Sequence, residues 1–230
     1  MDGNHNPPLA QELPGATSVL AVCAHPDDES FGLGATLATF TAAGSSTAVL
    51  CFTHGEMSSL GVGISELGRI RATELADAAT ELGVHHIELF DYPDGALAQQ
   101  PLDRLVEHVG QVADRVRADL LLVFDEGGIT GHPDHSRATE AALAFARNAR
   151  VPVLAWAVRE PIAATLNKEL GTGFVGRTDV HLDFEVHVDR GRQQRAITRH
   201  ASQATDNPVL WRRLELQTDR EVLRWLVTPE

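Results

Sequence analysis

The chain has 230 residues and a formal net charge of −13 with histidine neutral, a length that suits one sizeable α/β domain around a single well-filled core. The carboxylate surplus excludes a nucleic-acid reader, because that affinity rests on Lys and Arg neutralising phosphates. No window approaches the roughly 18 uninterrupted apolar residues of a membrane span, and the opening "MDGNHNPPLAQELPGA" lacks the basic start and apolar block of a secretory leader. No membrane span and a cytoplasmic location are therefore expected.

Residues 1–15, with Pro7, Pro8 and Pro14, read as a flexible lead-in to one domain over 16–230. Five apolar runs of strand length follow: "TSVLAVCA" (17–24), "STAVLCFT" (46–53), "HHIELFD" (85–91), "DLLLVFD" (119–125) and "PVLAWAV" (152–158). They are apolar throughout rather than alternating, as strands covered on both faces should be. Between them the periodicity predicts helices near 31–43, 65–82, 101–117 and 134–149. In the second, Ser65 fits an N-cap, Leu67, Ile70, Leu75, Ala78 and Leu82 mark an apolar face, and Gly83 supplies the stop. A βαβα series of this kind predicts a doubly wound, mainly parallel sheet with helices on both faces.

The end of the chain changes character. "VHLDFEVHV" (180–188) alternates, with Val180, Leu182, Phe184, Val186 and Val188 on one face and His181, Asp183, Glu185 and His187 on the other. This predicts a half-exposed antiparallel edge strand with a solvated polar face. Two helices are predicted after it, near 189–204 and 208–226. The two cysteines, Cys23 and Cys51, both fall inside apolar runs and read as buried free thiols, since neither sits in a metal-type Cys-x-x-Cys pair.

The chemistry gathers in two clusters. "AHPDDES" (24–30) follows the first strand and "GHPDHS" (131–136) follows the fourth by some ten residues. In an open doubly wound sheet, ligands bind beyond the carboxyl ends of the strands where strand order reverses, between the first and fourth strands of a 3-2-1-4-5 arrangement. That order would set the clusters face to face. The adjacent carboxylates Asp27 and Asp28 would repel each other unless something positive lay near. His25 with Asp28, and His132 with His135, are each spaced by three, so one turn can aim both side chains of a pair at one point. Catalytic zinc takes three ligands from His, Asp and Glu and leaves a position open. Three of the six residues His25, Asp27, Asp28, His132, Asp134 and His135 would suffice, with the rest free for acid–base work. "GLGATL" (32–37) has Gly32 and Gly34 in the first two places of a dinucleotide fingerprint, but Leu37 stands in the third, and the carboxylates upstream would repel a pyrophosphate.

These motifs closely resemble those of the LmbE-like, or PIG-L, family of zinc-dependent N-acetylglucosaminyl deacetylases. Supporting matches run in order from about residue 17 to 205: Thr53, Gly55 and Glu56; Arg71, Glu74 and Leu75; "LGV" at 82–84; Asp94 and Gly95; His200, Ser202 and Gln203. The resemblance implies a Rossmann-like fold in a single domain, zinc bound by His25, Asp28 and His135, and Asp27 as general base. It further implies His132 as oxyanion stabiliser and acid with Asp134 as its electrostatic partner, and sugar contacts from Arg71 and Asp94. The chain departs from the pattern at Thr130, where some thiol-pathway members carry tyrosine.

The function expected is removal of acetyl from an N-acetylglucosamine-type conjugate by metal-activated water. Alternatives are an amidase acting on a larger N-acyl group or thiol conjugate, a metal-retaining small-molecule binder, and, less favoured, a metal-phosphate hydrolase. Ferrous iron suits the same donors as zinc. The expected partner is a small N-acetylated sugar, and a homo-oligomer is compatible with the sequence.

Overall fold

A computed structural model describes residues 8–229; residues 1–7 of the expected lead-in, with His5, lie outside the described residues. The first half of the chain runs β1 (Ser18–Cys23), α1 (Asp28–Phe31), α2 (Gly34–Ala42), β2 (Ser46–Thr53), α3 (Leu67–Leu82), β3 (His86–Tyr92) and α4 (Leu102–Val116). It continues with β4 (Leu120–Phe124), a kinked turn α5 (Gly128–Gly131), α6 (Pro133–Ala149), β5 (Val153–Arg159) and α7 (Glu160–Leu170). The last part is β6 (Gly176–Arg177), β7 (Phe184–His187), α8 (Gly191–Arg199), α9 (Ala201–Ala204), α10 (Pro208–Gln217) and β8 (Arg220–Val227).

Eight strands form one mixed sheet in the order β3-β2-β1-β4-β5-β8-β7, with β6 paired to β5. The first five strands are parallel to their neighbours in the expected 3-2-1-4-5 order, whereas β8 lies antiparallel to both β5 and β7. The period of two along β1 sorts its side chains between two cores. Val19, Ala21 and Cys23 meet Leu33, Leu37 and Leu75 from α2 and α3, and Leu20 and Val22 meet Leu105, Val109, Ala138 and Ala142 from α4 and α6. With helices on both faces, no polar side is required of these strands, which is why their sequences do not alternate. Cys23 and Cys51 are register partners in β1 and β2 and both are free; burial pushes both thiols well above their ordinary value, which leaves them unreactive.

The structure corrects several expected elements. The stretch expected as one helix over 208–226 is a helix that stops at Gln217 and a strand that starts at Arg220. Thr218, at φ 56°, turns the chain back, and Arg220–Val227 fills the open edge of β5. Of the strand expected over 180–188, only Phe184–His187 is a strand; Asp179–His181 forms a 3-10 turn that leaves Val180 58 % exposed. α7 was not anticipated, although Pro161 in its first turn and Gly171 at its end are ordinary helix boundaries. Ser65 does not cap α3: Glu66 occupies the N-cap position at φ 58°, with no side-chain cap. The helices expected over 31–43 and 189–204 are each broken in two, the second at His200. Ala10 pairs with the β7 edge through Ala10 N–H to Asp183 O and Glu185 N–H to Ala10 O, both 2.9 Å.

Candidate metal centre and its cavity

β1 and β4 are neighbours, so the loops leaving their carboxyl ends converge, and the two His-Pro-Asp clusters meet. The first loop is locked by its own carboxylates. Asp28 Oδ2 accepts the backbone N–H groups of Ala24 (3.0 Å) and His25 (2.9 Å). Glu29, fully buried, accepts the N–H of Asp27 (2.9 Å) and pairs with His200 Nε2 (2.7 Å). Asp27 sits at φ 124°, ψ −28°, a strained conformation for a residue with a Cβ that persists only when its surroundings over-determine it. Arg71, only 3 % exposed, supplies part of that determination: its guanidinium bonds Asp27 Oδ2 (2.9 Å), Gly55 O (2.6 Å) and Pro26 O. Residue 55 must be glycine for this, because its φ is +63° and a Cβ there would stand 2.2 Å from Arg71 Nη1.

In the second loop His132 is the N-cap of α6, its Nδ1 accepting the N–H of Asp134 at 3.2 Å. That assignment leaves the proton on Nε2. His135 Nδ1 lies 3.2 Å from Gly128 O, so it donates there and its Nε2 is left with a free lone pair. Asp134 is fully buried and accepts the N–H groups of Gly95 (2.8 Å) and Leu97 (3.0 Å). Its carboxylate therefore braces the 93–97 loop; its hydrogen bond to His132 is made by its backbone, while its charge favours a proton on that ring. Asp94 Oδ2 accepts the N–H of Met57 (2.8 Å), and Asp94 Oδ1 lies 3.0 Å from His25 Nε2.

Three donors meet at one point. His135 Nε2 lies 3.1 Å from both His25 Nδ1 and Asp28 Oδ1, and His25 Nδ1 lies 3.8 Å from Asp28 Oδ2. Ligands of one tetrahedral zinc, 2.0–2.1 Å from the ion, stand about 3.4 Å apart, a spacing that His135 Nε2 keeps to His25 Nδ1 and to Asp28 Oδ1, while the contact of His25 is with the other Asp28 oxygen. Two groups gather one donor atom per residue within 4.8 Å, His25–His132–His135 and His25–Asp94–Asp134. The former lacks a carboxylate, and the latter uses the opposite nitrogen of His25, where Asp94 and Asp134 (3.5 Å) act as outer partners that fix the ring. His25 Nε2 is buried without an in-line hydrogen bond.

The protonation pattern asks for a cation. Burial works against a charge on His25, but Asp134, Asp94 and Asp28 outweigh it and raise the imidazole to about 10. Burial would also raise Asp28, yet His135 and His25 hold it far below the usual carboxylate range. Asp27 moves the other way: burial is the largest cause, Arg71 offsets part of it, and the carboxyl is raised to about 6. His132 is lowered by burial and by the two neighbouring histidines.

His25, Asp27, Asp28, Arg71, Asp94, His132 and His135 open on a cavity of about 580 Å³, whose remaining wall includes Phe31, Phe124, Thr130, Phe174, Leu210 and Arg213. Sequence reasoning named the six loop residues that the structure brings together, with Arg71 and Asp94 beside them. It missed Glu29, although that residue lies within the first motif, and it named His200 only among the supporting matches, without its pairing to Glu29. It also missed the wall formed by Trp156 and α10, for which no local pattern existed.

A family model described as GlcNAc-PI de-N-acetylase (PIG-L) matches residues 20–146. A 1D-myo-inositol 2-acetamido-2-deoxy-alpha-D-glucopyranoside deacetylase of Corynebacterium glutamicum (strain R) is 31% identical over 232 residues, covering 85% of this chain and 77% of that relative. A relative of the same description in Catenulispora acidiphila is 32% identical over 165 residues, 61% of this chain and 51% of its own length. The chain thus spans about half the length of several curated relatives that it matches. Among solved structures, the zinc-inhibited form of teicoplanin deacetylase Orf2 superposes with a TM-score of 0.72 at 18% identity, over 91% of this chain and 97% of that one. An N,N'-diacetylchitobiose deacetylase from Pyrococcus horikoshii gives 0.66 at 22%, over 92% and 84%. A 4-carboxy-2-hydroxymuconate hydratase from Pseudomonas putida KT2440 gives 0.71 at 17%, over 93% and 97%, so the architecture is not confined to proteins described as deacetylases.

Proposed function

Because the chain belongs to the GlcNAc-PI de-N-acetylase (PIG-L) family, we propose that it hydrolyses the N-acetyl amide of an N-acetylglucosamine-type conjugate, with zinc held by His25, Asp28 and His135. The observation that carries this reading is the state of Asp27. It sits on strained backbone with one oxygen held by Arg71, it lines the same cavity as His25, Asp28 and His135, and burial raises its carboxyl.

Zinc, when bound, polarises the amide carbonyl and acidifies water. Asp27 is ionised at neutral pH and keeps Oδ1 free of Arg71, so it can take the proton of the attacking water. A base matched to neutral pH can also return that proton to the leaving amine. His132 serves as a neutral donor: its Nδ1 is occupied by Asp134 N–H, and the proton on Nε2 is available for the amide oxygen as negative charge develops there. Asp134 and Asp94 hold the His25 ring from behind. Arg71 and Asp94 both line the cavity and are assigned to the sugar as well as to the frame; Arg71 Nε is buried and free of a partner.

The test is acetate release by zinc-reconstituted protein from a panel of N-acetylglucosamine conjugates, with activity lost on chelation and restored by zinc. A second reading, an amidase acting on a larger N-acyl group or thiol conjugate, is favoured by the cavity's volume and by Thr130 on its wall. Bound metal without acetate release from any member of the panel would favour it over the first.

A further inference from the structure

On the cavity wall, beside Phe31 and Trp156, lies a buried cation that the proposed reaction does not use. Arg213, on α10, lines the cavity and is 4 % exposed. Its guanidinium donates to Gln217 Oε1 (2.6 Å) and to Phe31 O (2.5 Å) and lies with Cζ 4.9 Å over the Trp156 ring. All these partners are neutral, and no carboxylate of the described residues pairs with it. The carboxylate that offsets it from a distance is Glu221, and Glu221 is already paired with Arg190 (2.6 Å) while accepting from Trp156 Nε1 (2.7 Å) and Gln217 Nε2 (3.2 Å). Two guanidiniums thus share one carboxylate. Burial lowers Arg213 to about 10, so it stays charged at neutral pH.

Burying an unpaired charge is costly, and proteins keep such charges where a partner arrives. Aromatic rings join this part of the wall to the metal end. Phe124 stands 5.0 Å from His135 and 5.4 Å from Trp156, ring centre to ring centre, and Trp156 carries Arg213 on its face. Gly32 keeps this wall intact, since a Cβ there would lie 2.3 Å from the Phe124 ring.

We propose that Arg213 is an anion subsite, and that the substrate is an N-acyl amine carrying a carboxylate or phosphate at the far end of an apolar or planar segment running past Phe124 and Trp156. The substrate claim rests on the amide-hydrolase reading; the subsite itself does not. The guanidinium still has donors beyond those given to Gln217 and Phe31, and planar pairing with an oxyanion is what such a fork suits. The metal end, rich in carboxylates, would repel the same group and so fix the substrate's direction.

Calorimetric titration of metal-free protein with benzoate and with phenyl phosphate, at low ionic strength, tests the subsite without any turnover. Native protein should bind both probes, Arg213→Met should weaken binding by about tenfold or more, and Arg213→Lys should fall between them. If Arg213→Met does not fold, Arg213→Gln makes the same comparison. No binding by native protein, or equal binding by native protein and the neutral variant, overturns the proposal. With zinc restored, kcat/KM for the 4-carboxyphenyl glycoside of N-acetylglucosamine relative to its phenyl glycoside should favour the carboxylate, and that ratio should drop in Arg213→Met; an unchanged ratio overturns the substrate claim. Release of acetate from neither sugar would count against the deacetylase reading, while the titration still decides the subsite.

Discussion

The two ends of the cavity are built by different parts of the chain and carry opposite charge. At the metal end, loops after β1, β3 and β4 bring Asp28, Asp94 and Asp134 around His25, and Asp27 against a single guanidinium, Arg71. At the other end, α10, β8 and the start of α8 bring Arg190 and Arg213 to a single carboxylate, Glu221. The first end is short of positive charge and collects a proton on His25; the second is short of negative charge. The parallel half places side chains by converging loops at strand ends, whereas the returning antiparallel strand places them from within the sheet. The residues proposed for chemistry therefore sit in the first half, and α10 adds Val209, Leu210 and Arg213 to the cavity wall.

Substitutions can separate the two ends. The largest expected effect is at the metal end: Asp27→Asn should lower kcat by about 10²–10⁴-fold, the usual contribution of a positioned base, with zinc content by atomic absorption unchanged. An active variant would remove Asp27 as the base. At the other end, Glu221→Ala leaves the buried Arg190 uncompensated and should cost roughly 3–5 kcal/mol of stability in denaturant unfolding, with the zinc ligands still in place. Loss of zinc from folded Glu221→Ala protein would mean that the ends are coupled rather than separate.

A smaller effect tests how the metal-end loop is held. Gly55→Ala places a Cβ at φ +63° and against Arg71, and should cost about 1–3 kcal/mol while lowering kcat through the lost grip on Asp27. The smallest lies outside both ends. Asp119, at the amino-terminal ends of the central strands β1 and β4, caps the N–H groups of Thr17 and Ser18. Burial raises its carboxyl, but hydrogen bonds from the Thr17 hydroxyl and from the Ser18 and Thr17 amides outweigh that and lower it. Its stabilisation is thus fully present above the unfolded value of about 4 and is lost as pH falls through the lower folded value. Asp119→Asn should cost a few tenths to about 1 kcal/mol at neutral pH, and the difference from the native protein should close as melting is followed below about pH 4. A difference constant with pH would deny the carboxylate that role.

Legibility in the sequence followed the range of the interactions. The starts and ends of β1 to β5 were readable to within a residue or two because continuous apolar runs have one good use in a sheet covered on both faces. The metal loops were readable because His25–Asp28 and His132–His135 are local spacings, and each loop is closed by hydrogen bonds a few residues long. "REVLRWLV" was misread because its apolar residues satisfy a helical face as well as a strand. What decides is the vacant edge of β5, some 65 residues away in sequence.

The sequence by itself determined the strands of the parallel half and the two clusters of chemistry, since each depends on periodicity or on spacing within a turn; the strand order came from the general rule for doubly wound sheets. Only the tertiary structure decided that Arg71 holds Asp27, that Asp94 and Asp134 stand behind His25, that Glu29 and His200 form one buried pair, and that Arg213 lies over Trp156 without a carboxylate of its own. Those are contacts between segments tens to more than a hundred residues apart. No local pattern records them, because their free energy comes from which groups burial forces together and which charges are left without a partner.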